Sequence, residues 1–237
     1  MLKKLISYLI FKEKCSPESY LKHLKKIGCK IGDGTHIFAN PLNILIDETR
    51  PWLIDIGNNV QITRNVTILT HGYDWSVLKG VYGEILGSSG KVTIGNNVFI
   101  GMNSTILKGT TIGNNVIIGA NSLVRGVIPN NCVIAGNPAK IICSIEEYYH
   151  KRKDAQINEA VELVNEYYKT YNKFPDESYL REFFFLFANR EETLNPVFDN
   201  TMKLIGNYEH SISVFKKCSP VFKTYKEFLD YCLSKLK

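Results

Sequence analysis

The residue best suited to chemistry in this 237-residue sequence is His71, which directly precedes a long segment rich in glycine and aromatic residues. An imidazole titrates near neutrality, so His71 can accept a proton from an attacking hydroxyl and pass it to a leaving group. No serine or cysteine stands beside a paired base, which favours direct transfer over a covalent intermediate. Tyr73, Asp74 and Trp75 follow, and we expect them to line an acceptor site, where Asp74 could hold hydroxyls or orient His71.

His71 and the residues after it lie where a six-residue period of apolar side chains is interrupted. Apolar side chains recur at every sixth position, with a glycine after four of them and asparagine three positions after four of them. The period breaks after His71 and resumes at Ile94, so the segment 72–91 is predicted to be an ejected loop, and such loops usually serve binding. The unbroken run is Ile94, Ile100, Ile106, Ile112, Ile118 and Val124, and shorter runs are Ile31 and Ile37, then Ile56, Ile62 and Ile68.

A period of six matches neither an α-helix nor a simple alternating strand. It predicts a mainly β solenoid, in which three short strands make one triangular coil and the apolar residues point inward. Asparagine and glycine are expected at the corners, because both tolerate a positive φ. The predicted organisation is an N-terminal helical segment 1–28, a β-helix 29–143 and an α-helical C-terminal extension 144–237.

The extension has helical signals of its own. Ser144 with Glu147 and Thr224 with Glu227 both have capping-box spacing, and a helical stripe of apolar residues follows the first. A further helix is predicted over 180–187, with its phenylalanines in the core. We expect the extension to cap the solenoid and extend a subunit contact, or else to shape the acceptor site or dock on a partner.

Composition narrows the class of protein. Hydrophobic residues make up 44% and charged residues 22% of a chain with net charge +6, as in a globular protein. No dense basic block with interleaved aromatic residues appears, which argues against nucleic acid as a partner. Six scattered cysteines indicate a reduced, cytoplasmic protein. Residues 1–11 are too short for a membrane span and lack the small-residue cleavage site of a signal peptide. We expect an amphipathic helix there, either packed on the next domain or weakly associated with a membrane surface.

The stretch 31–142 resembles the hexapeptide-repeat acyltransferases, particularly the galactoside, maltose and xenobiotic branch together with the capsule and lipopolysaccharide acetyltransferases. The motifs that carry the resemblance are Ile94-Gly95-Asn96-Asn97-Val98-Phe99-Ile100-Gly101, residues 112–120, and Val133-Ile134-Ala135-Gly136-Asn137-Pro138-Ala139-Lys140. The resemblance implies a left-handed parallel β-helix, a homotrimer with active sites between subunits, and acetyl-CoA as co-substrate without a metal. It also implies O-acetylation of a carbohydrate such as a capsule, exopolysaccharide or lipopolysaccharide unit.

Individual roles follow from the same resemblance. His71 occupies the position of the catalytic histidine, and Asn40 matches an asparagine that binds the acceptor sugar. Lys140 matches a basic position that meets the nucleotide phosphates, whereas Cys143 stands where the family has a second basic residue. The remaining positions expected along the coenzyme A groove are Phe99, Gly101, Met102, Ala120, Arg125 and Gly126.

Three alternatives remain open from the sequence. The nearest is N-acetylation of an antibiotic or amino sugar. A non-catalytic β-helix scaffold would not need a loop led by histidine. A γ-type carbonic anhydrase needs three histidine ligands, and only His36 and His71 lie within the repeats.

Overall fold

The isoleucines of the six-residue period form stacked ladders inside a parallel β-helix, as the spacing predicts. A computed structural model describes residues 11–236 of the chain. One ladder aligns Ile62, Ile100, Ile118 and Ile134 on four adjacent strands, and all four are fully buried. Because each coil stacks on the next in register, the coils share one continuous apolar core.

Short strands form the three faces of this β-helix. The first face has strand order β1-β4-β9-β12-β15, the second β17-β16-β13-β10-β5-β2 and the third β14-β11-β6-β3, and β7 and β8 form a separate hairpin. The strands are β1 (Lys30–Ile31), β2 (His36–Ile37), β3 (Leu45–Ile46), β4 (Ile54–Ile56), β5 (Val60–Ile62), β6 (Thr67–Ile68), β7 (His71–Gly72), β8 (Ser88–Ser89), β9 (Val92–Ile94), β10 (Val98–Ile100), β11 (Thr105–Ile106), β12 (Thr111–Ile112), β13 (Val116–Ile118), β14 (Leu123–Val124), β15 (Val127–Ile128), β16 (Cys132–Ala135) and β17 (Lys140–Ser144).

Asparagines turn the corners in the left-handed backbone region, as expected. Asn97 and Asn115 both have a φ of 55°, and Asn97 Nδ2 donates to Asn115 Oδ1 of the next coil at 2.9 Å. The same expectation is wrong for the repeat glycines, since Gly101 does not have a positive φ. A Cβ on Gly101 would lie 2.6 Å from the backbone nitrogen of Ala120, so glycine is needed there for the close approach of two coils.

A helix packs on the first coil of the β-helix. Helix α1 (Pro17–Ile27) begins at Ser16, whose hydroxyl accepts from the Ser19 amide, and ends at Gly28 with a φ of 118°. Tyr20 and Leu24 on this helix are fully buried in the same core as the isoleucine ladders. The amphipathic helix predicted for residues 1–11 lies outside the described residues apart from Phe11.

The segment that interrupts the period is partly regular. Strands β7 and β8 pair antiparallel at its base, and helix α2 (Trp75–Tyr82) lies between them and ends at Gly83. The sequence predicts only a loop here, and the helix is an addition. Val77, Val81 and Tyr82 of α2 are between 67 and 72% exposed, so a single chain does not bury the apolar side of this segment.

The last coil ends in an antiparallel hairpin that the hexapeptide pattern does not predict, with β17 returning along β16. Helix α3 (Ile145–Tyr171) follows, and the predicted capping box at its start is confirmed. The Glu147 amide donates to Ser144 Oγ at 3.1 Å, and the Ser144 amide donates to Glu147 Oε2 at 2.7 Å. Short 3-10 turns elsewhere are Lys12–Cys15, Pro41–Asn43, Pro51–Leu53, Glu177–Leu180 and Phe184–Leu186.

The described chain divides into two compact units, and the boundary between Tyr148 and Tyr149 falls within α3. The second unit has an aromatic core, in which Phe184 stacks on Phe198 at 4.8 Å and Phe187 on Phe228 at 5.5 Å between ring centroids. Its later helices are α4 (Pro196–Lys203), α5 (Tyr208–Lys217) and α6 (Tyr225–Ser234).

The helix predicted over 180–187 is wrong. One 3-10 turn ends at Leu180 and a second covers Phe184–Leu186, and the backbone at Phe183 and Phe187 lies outside the helical region. Phe184, Leu186 and Phe187 are all buried in the core, and of these only Leu186 would lie off the face that Phe184 and Phe187 share in a regular helix. Within residues 11–236, none of the helices combines the length and apolar character required to cross a bilayer.

Candidate active site

His71 lies where the regular coil ends and the inserted segment begins. Strand β6 ends at Ile68, and His71 is the first residue of β7, paired with Ser89 of β8. The Gly90 amide donates to the Thr70 carbonyl at 2.9 Å, which ties the two ends of the insertion together. The β-helix therefore holds the imidazole at the base of the insertion rather than at its tip.

A buried carboxylate holds the His71 ring. Asp47 Oδ2 lies 2.5 Å from His71 Nδ1, and the two side chains are only 4% and 11% exposed. Strands β3 and β6 pair in register at Ile46 and Ile68, and the Asp47 amide donates to the Ile68 carbonyl at 3.0 Å. Asp47 thus enters the site from the preceding coil, at a position set by strand pairing.

The surroundings of Asp47 favour its charged form. Burial acts to raise the pKa of this carboxyl, but hydrogen bonds from Thr49, Thr70 and His71 outweigh burial and hold the pKa well below its usual range. Thr49 donates through both its amide, at 3.0 Å, and its hydroxyl, at 2.6 Å, and Thr70 donates through its hydroxyl. Asp47 is therefore an anion at neutral pH.

The ionised Asp47 also decides which nitrogen of His71 is basic. A carboxylate only accepts hydrogen bonds, so Nδ1 of the ring carries the proton. In the neutral imidazole the lone pair is then on Nε2, and the Nδ1 contact stabilises the positive ring that forms when Nε2 takes a proton. Within residues 11–236, the ring makes no other hydrogen bond. The arrangement leaves Nε2 as the nitrogen that could accept a proton.

Sequence reasoning missed Asp47 and considered Asp74 as a carboxylate that could orient His71. In the structure it is Asp47 that contacts the His71 ring, whereas Asp74 is exposed at the start of α2. The available signal was an acidic residue one position after the strand isoleucine of the coil before His71. It was weak, because the first coil contains extra turns that break the six-residue count around Asp47.

The segment after Asp47 is anchored to helix α1. Glu48 accepts from the Tyr20 hydroxyl at 2.8 Å, and its other oxygen lies 3.2 Å from His23 Nε2. Lys14 Nζ lies 3.6 Å from the same carboxylate. Because Glu48 directly follows Asp47, these contacts restrain the backbone that presents Asp47 to His71.

The predicted acceptor residues divide into two groups. Tyr73 packs edge-on against His71 with ring centroids 5.0 Å apart, and Trp75 lies 6.1 Å beyond Tyr73, so the structure brings these three rings together. Asn40 is at a separate turn, where its side-chain oxygen accepts from the Leu42 amide at 3.0 Å. That contact stabilises the short turn that begins at Pro41.

The predicted donor residues follow one edge of the coils. Phe99 lies on β10, opposite Gln61 and Ile117 of the neighbouring strands, and remains 40% exposed. Gly101 and Ala120 come together on adjacent coils, next to Met102, whose carbonyl accepts from the Asn121 amide at 2.8 Å.

The basic donor residues are all exposed. Arg125 precedes Gly126, whose φ of 76° turns the chain, and Lys140 opens β17 opposite Ala135. Sequence reasoning did not single out Lys108, although its Nζ lies 3.8 Å from where a Cβ would stand on Gly72, directly after His71. Lys108 is therefore a cation at the base of the inserted segment.

Comparison with known proteins agrees with this architecture. Residues 91–126 match the family model described as bacterial transferase hexapeptide (six repeats). Protein CapG of Staphylococcus aureus is 41% identical over 157 residues, covering 66% of this chain and 90% of CapG. Galactoside O-acetyltransferase of Escherichia coli (strain K12) is 38% identical over 128 residues, covering 52% of this chain and 61% of that enzyme.

Among solved structures, a galactoside acetyltransferase in complex with coenzyme A aligns with a TM-score of 0.43 and 29% identity, over 60% of this chain and 80% of that one. The six-repeat model falls on the regular coils between Lys91 and Gly126. The match to CapG extends over nine-tenths of that protein. This chain therefore belongs to the hexapeptide-repeat acyltransferase family and is an acyltransferase that uses acetyl-CoA.

Proposed function

We propose that this protein transfers the acetyl group of acetyl-CoA to a hydroxyl of a carbohydrate, such as a capsule, exopolysaccharide or lipopolysaccharide unit, with His71 as general base. The observation that carries the proposal is the buried hydrogen bond between Asp47 and His71 at the base of the insertion. Burying a carboxylate is costly, and a scaffold would gain nothing from it. The 38% identity to galactoside O-acetyltransferase supports an O-acetyl transfer to a sugar.

The proposed transfer is direct. The acceptor hydroxyl gives its proton to His71 Nε2 while its oxygen bonds to the thioester carbonyl carbon. The carbon–sulfur bond then breaks, and the imidazolium returns the proton to the departing thiolate. The products are an acetyl ester and free coenzyme A, and Asp47 stabilises the positive ring between the two proton transfers.

The same proposal assigns the surrounding residues. Tyr73 and Trp75 offer ring faces to a sugar next to His71, and their mutual distances support this role. Asp74 and Asn40 remain proposed acceptor contacts. On the donor side, the pantetheine arm is assigned to the edge formed by Phe99, Gly101, Met102 and Ala120, and the phosphates to Arg125, Gly126 and Lys140.

The proposed working form is a left-handed β-helix assembled as a cytoplasmic homotrimer, organised as segments 1–28, 29–143 and 144–237. Exposed apolar side chains on the inserted segment support an assembly, since a monomer rarely exposes a contiguous apolar patch. Besides the residues of α2, Ile85 is 62% and Leu86 51% exposed. A neighbouring subunit would cover this surface.

The test is release of free thiol from acetyl-CoA with a panel of sugars, amino sugars and antibiotics, comparing wild type with His71→Ala. Loss of a general base should lower kcat/KM by about 10²- to 10⁴-fold on at least one acceptor. His36→Ala is the matched control, because His36 is an exposed histidine of the same β-helix, and it should stay near wild type.

An undiminished rate in His71→Ala would remove His71 from the mechanism. Thiol release with amino sugars or antibiotics alone, giving an amide product, would replace O-transfer by N-transfer. No turnover of any acceptor by the wild type would favour the scaffold.

A further inference from the structure

A groove in the second compact unit lies outside the site described so far. Its volume is about 520 Å³, and it is lined by the first turns of α3 after Tyr149, the turns around Phe185, and the C-terminal end of α5. This volume falls within the range of small-molecule sites, roughly 300–1,000 Å³. The lining combines apolar side chains such as Phe183 and Val221 with polar ones such as Gln156 and Ser219.

Arg190 is the unusual member of this lining. Its Nε donates to the Cys218 carbonyl at 2.9 Å, its Nη2 to the Phe185 carbonyl at 2.6 Å, and its Nη1 to the Ala188 carbonyl. A guanidinium has five N–H donors, so two remain after these three bonds. Its Cζ also lies over the Phe215 ring, 4.0 Å from the ring centroid. Arg190 is therefore held rigidly with donors to spare.

The charge of Arg190 has no counter-ion within the part of the chain that the structure describes. It is half-buried, and burial lowers the pKa of its guanidinium. Lys153, a second cation on the groove, lies over the Tyr149 ring at 5.7 Å and also lacks a carboxylate partner among residues 11–236. A partly desolvated cation without a counter-ion favours an incoming anion.

The other charges on the groove do not cancel these two. Arg152 is already held by Glu159, with both guanidinium nitrogens on the carboxylate. Glu182 is the acidic side chain of the lining, and it is exposed. It offers oxygens that can accept from hydroxyl groups, as can Gln156 and Ser219.

We propose that this groove binds a carboxylate-bearing sugar unit of a glycan, with the carboxylate on Arg190 and Lys153 and the hydroxyls on the polar lining. The planar fork of an arginine matches a carboxylate, and the apolar lining suits the carbon face of a sugar ring. The choice of a sugar rests on the function proposed above, whereas the choice of an anion rests on the groove. The extension would then bind an acidic glycan independently of the transfer step at His71.

The test is calorimetric titration of the full-length protein with three probes. Trigalacturonate is the acidic sugar, maltotriose is a neutral sugar of equal length, and citrate is a polycarboxylate without a sugar. We expect trigalacturonate to bind at least tenfold more tightly than either of the others.

Two variants locate the binding. Lys153→Glu should weaken trigalacturonate binding by fivefold or more, while Lys151→Glu, an equal charge change on the same helix outside the lining, should stay within twofold. Val221→Trp should also weaken binding, because Val221 is an exposed lining residue and the larger side chain fills the groove without changing the charge. Arg190 itself is left intact, because its loss would free three carbonyls.

Saturable binding that responds to Lys153→Glu but not to Lys151→Glu supports the groove. Equal loss in both variants, or no saturable binding of trigalacturonate, overturns the proposal, and equal binding of citrate overturns the sugar part. His71→Ala should bind trigalacturonate as the wild type does. Failure of transfer with intact binding would thus count against the proposed function alone.

Discussion

The regular coils and the interruption of the coils beside His71 use hydroxyl side chains in different ways. In the regular coils, Ser104 and Ser122 are buried and donate to the Gly119 carbonyl at 3.0 and 2.6 Å. At the interruption beside His71, the hydroxyls of the buried Thr70 and of the exposed Thr49 donate to the carboxylate of Asp47 instead. In the regular coils such a hydroxyl satisfies a backbone carbonyl, whereas beside His71 it stabilises the negative charge of Asp47.

Beside His71, the β-helix departs from the purely structural use of buried hydroxyls seen in the regular coils. A buried hydroxyl bonded to a carbonyl stabilises modestly and leaves no net charge. A buried carboxylate needs several donors to remain ionised, and the coil around Asp47 supplies them. Among residues 11–236, Asp47 is the one buried carboxylate, and it lies beside an imidazole at the interruption of the coils.

The largest effect expected from this comparison is on catalysis. Asp47→Asn should lower kcat/KM by about 10²- to 10⁴-fold, because an amide neither stabilises the imidazolium nor enforces the Nδ1–H tautomer. The measurement is thiol release from acetyl-CoA with the acceptor found for the wild type. Asp55→Asn is the matched control, since Asp55 belongs to a regular strand and bonds to Lys91 on the surface. Activity of Asp47→Asn close to that of Asp55→Asn would erase the distinction between the coils.

The same aspartate should shape the response to acid. Its pKa is lower in the folded chain than the usual 3.9 or so of a free side chain, so its ionised form stabilises the fold above that value. This contribution is lost as pH falls below about 4 toward the folded pKa. Thermal melts of Asp47→Asn should therefore lose less stability between pH 5 and pH 3 than the wild type does. A steeper acid loss in the variant would contradict the assigned ionisation.

A regular corner should show a structural effect without a catalytic one. Asn97→Ala should destabilise the fold by about 1 kcal/mol, because alanine resists the positive φ that Asn97 adopts. Asn97→Gly retains that conformation and loses only the bond to Asn115, so urea unfolding should show a smaller loss. Equal losses of stability in the two variants would mean that the hydrogen bond to Asn115, rather than the positive φ, stabilises this corner. A fall in activity per folded molecule would mean that the corner also affects the active site.

The smallest effect is expected at Glu48, where the coil that carries Asp47 contacts α1. Glu48→Gln weakens a partly exposed anchor that accepts from Tyr20, and such contacts are worth up to about 1 kcal/mol. Since Glu48 adjoins Asp47, kcat should fall by up to about fivefold with KM little changed. Glu166→Gln, an exposed glutamate paired with Lys169, is the control. Steady-state kinetics showing a change in KM alone would assign Glu48 to substrate binding rather than to positioning.

Much of the fold was predictable because the hexapeptide period is local. The positive φ of the asparagines and the capping box at Ser144 depend on neighbours within a few residues, and the ladder through Ile100 and Ile118 follows from repeating the same hexapeptide three times per coil. The second unit was less predictable. Its aromatic core draws on side chains as distant as Phe184 and Phe228, and no repeat announces which of them will meet. Helix propensity over 180–187 therefore lost to tertiary packing.

The stacked apolar core of the first unit and the position of His71 at its interruption can both be read from the sequence, since they follow from counting residues along one chain. The contact between His71 and Asp47 depended on strand pairing between successive coils, whose irregular turns no six-residue count spans. Likewise, the two N–H donors that Arg190 has left over can be identified only from the structure, in which its other three donate to backbone carbonyls. Chemistry that depends on register between distant segments was decided by the tertiary structure alone.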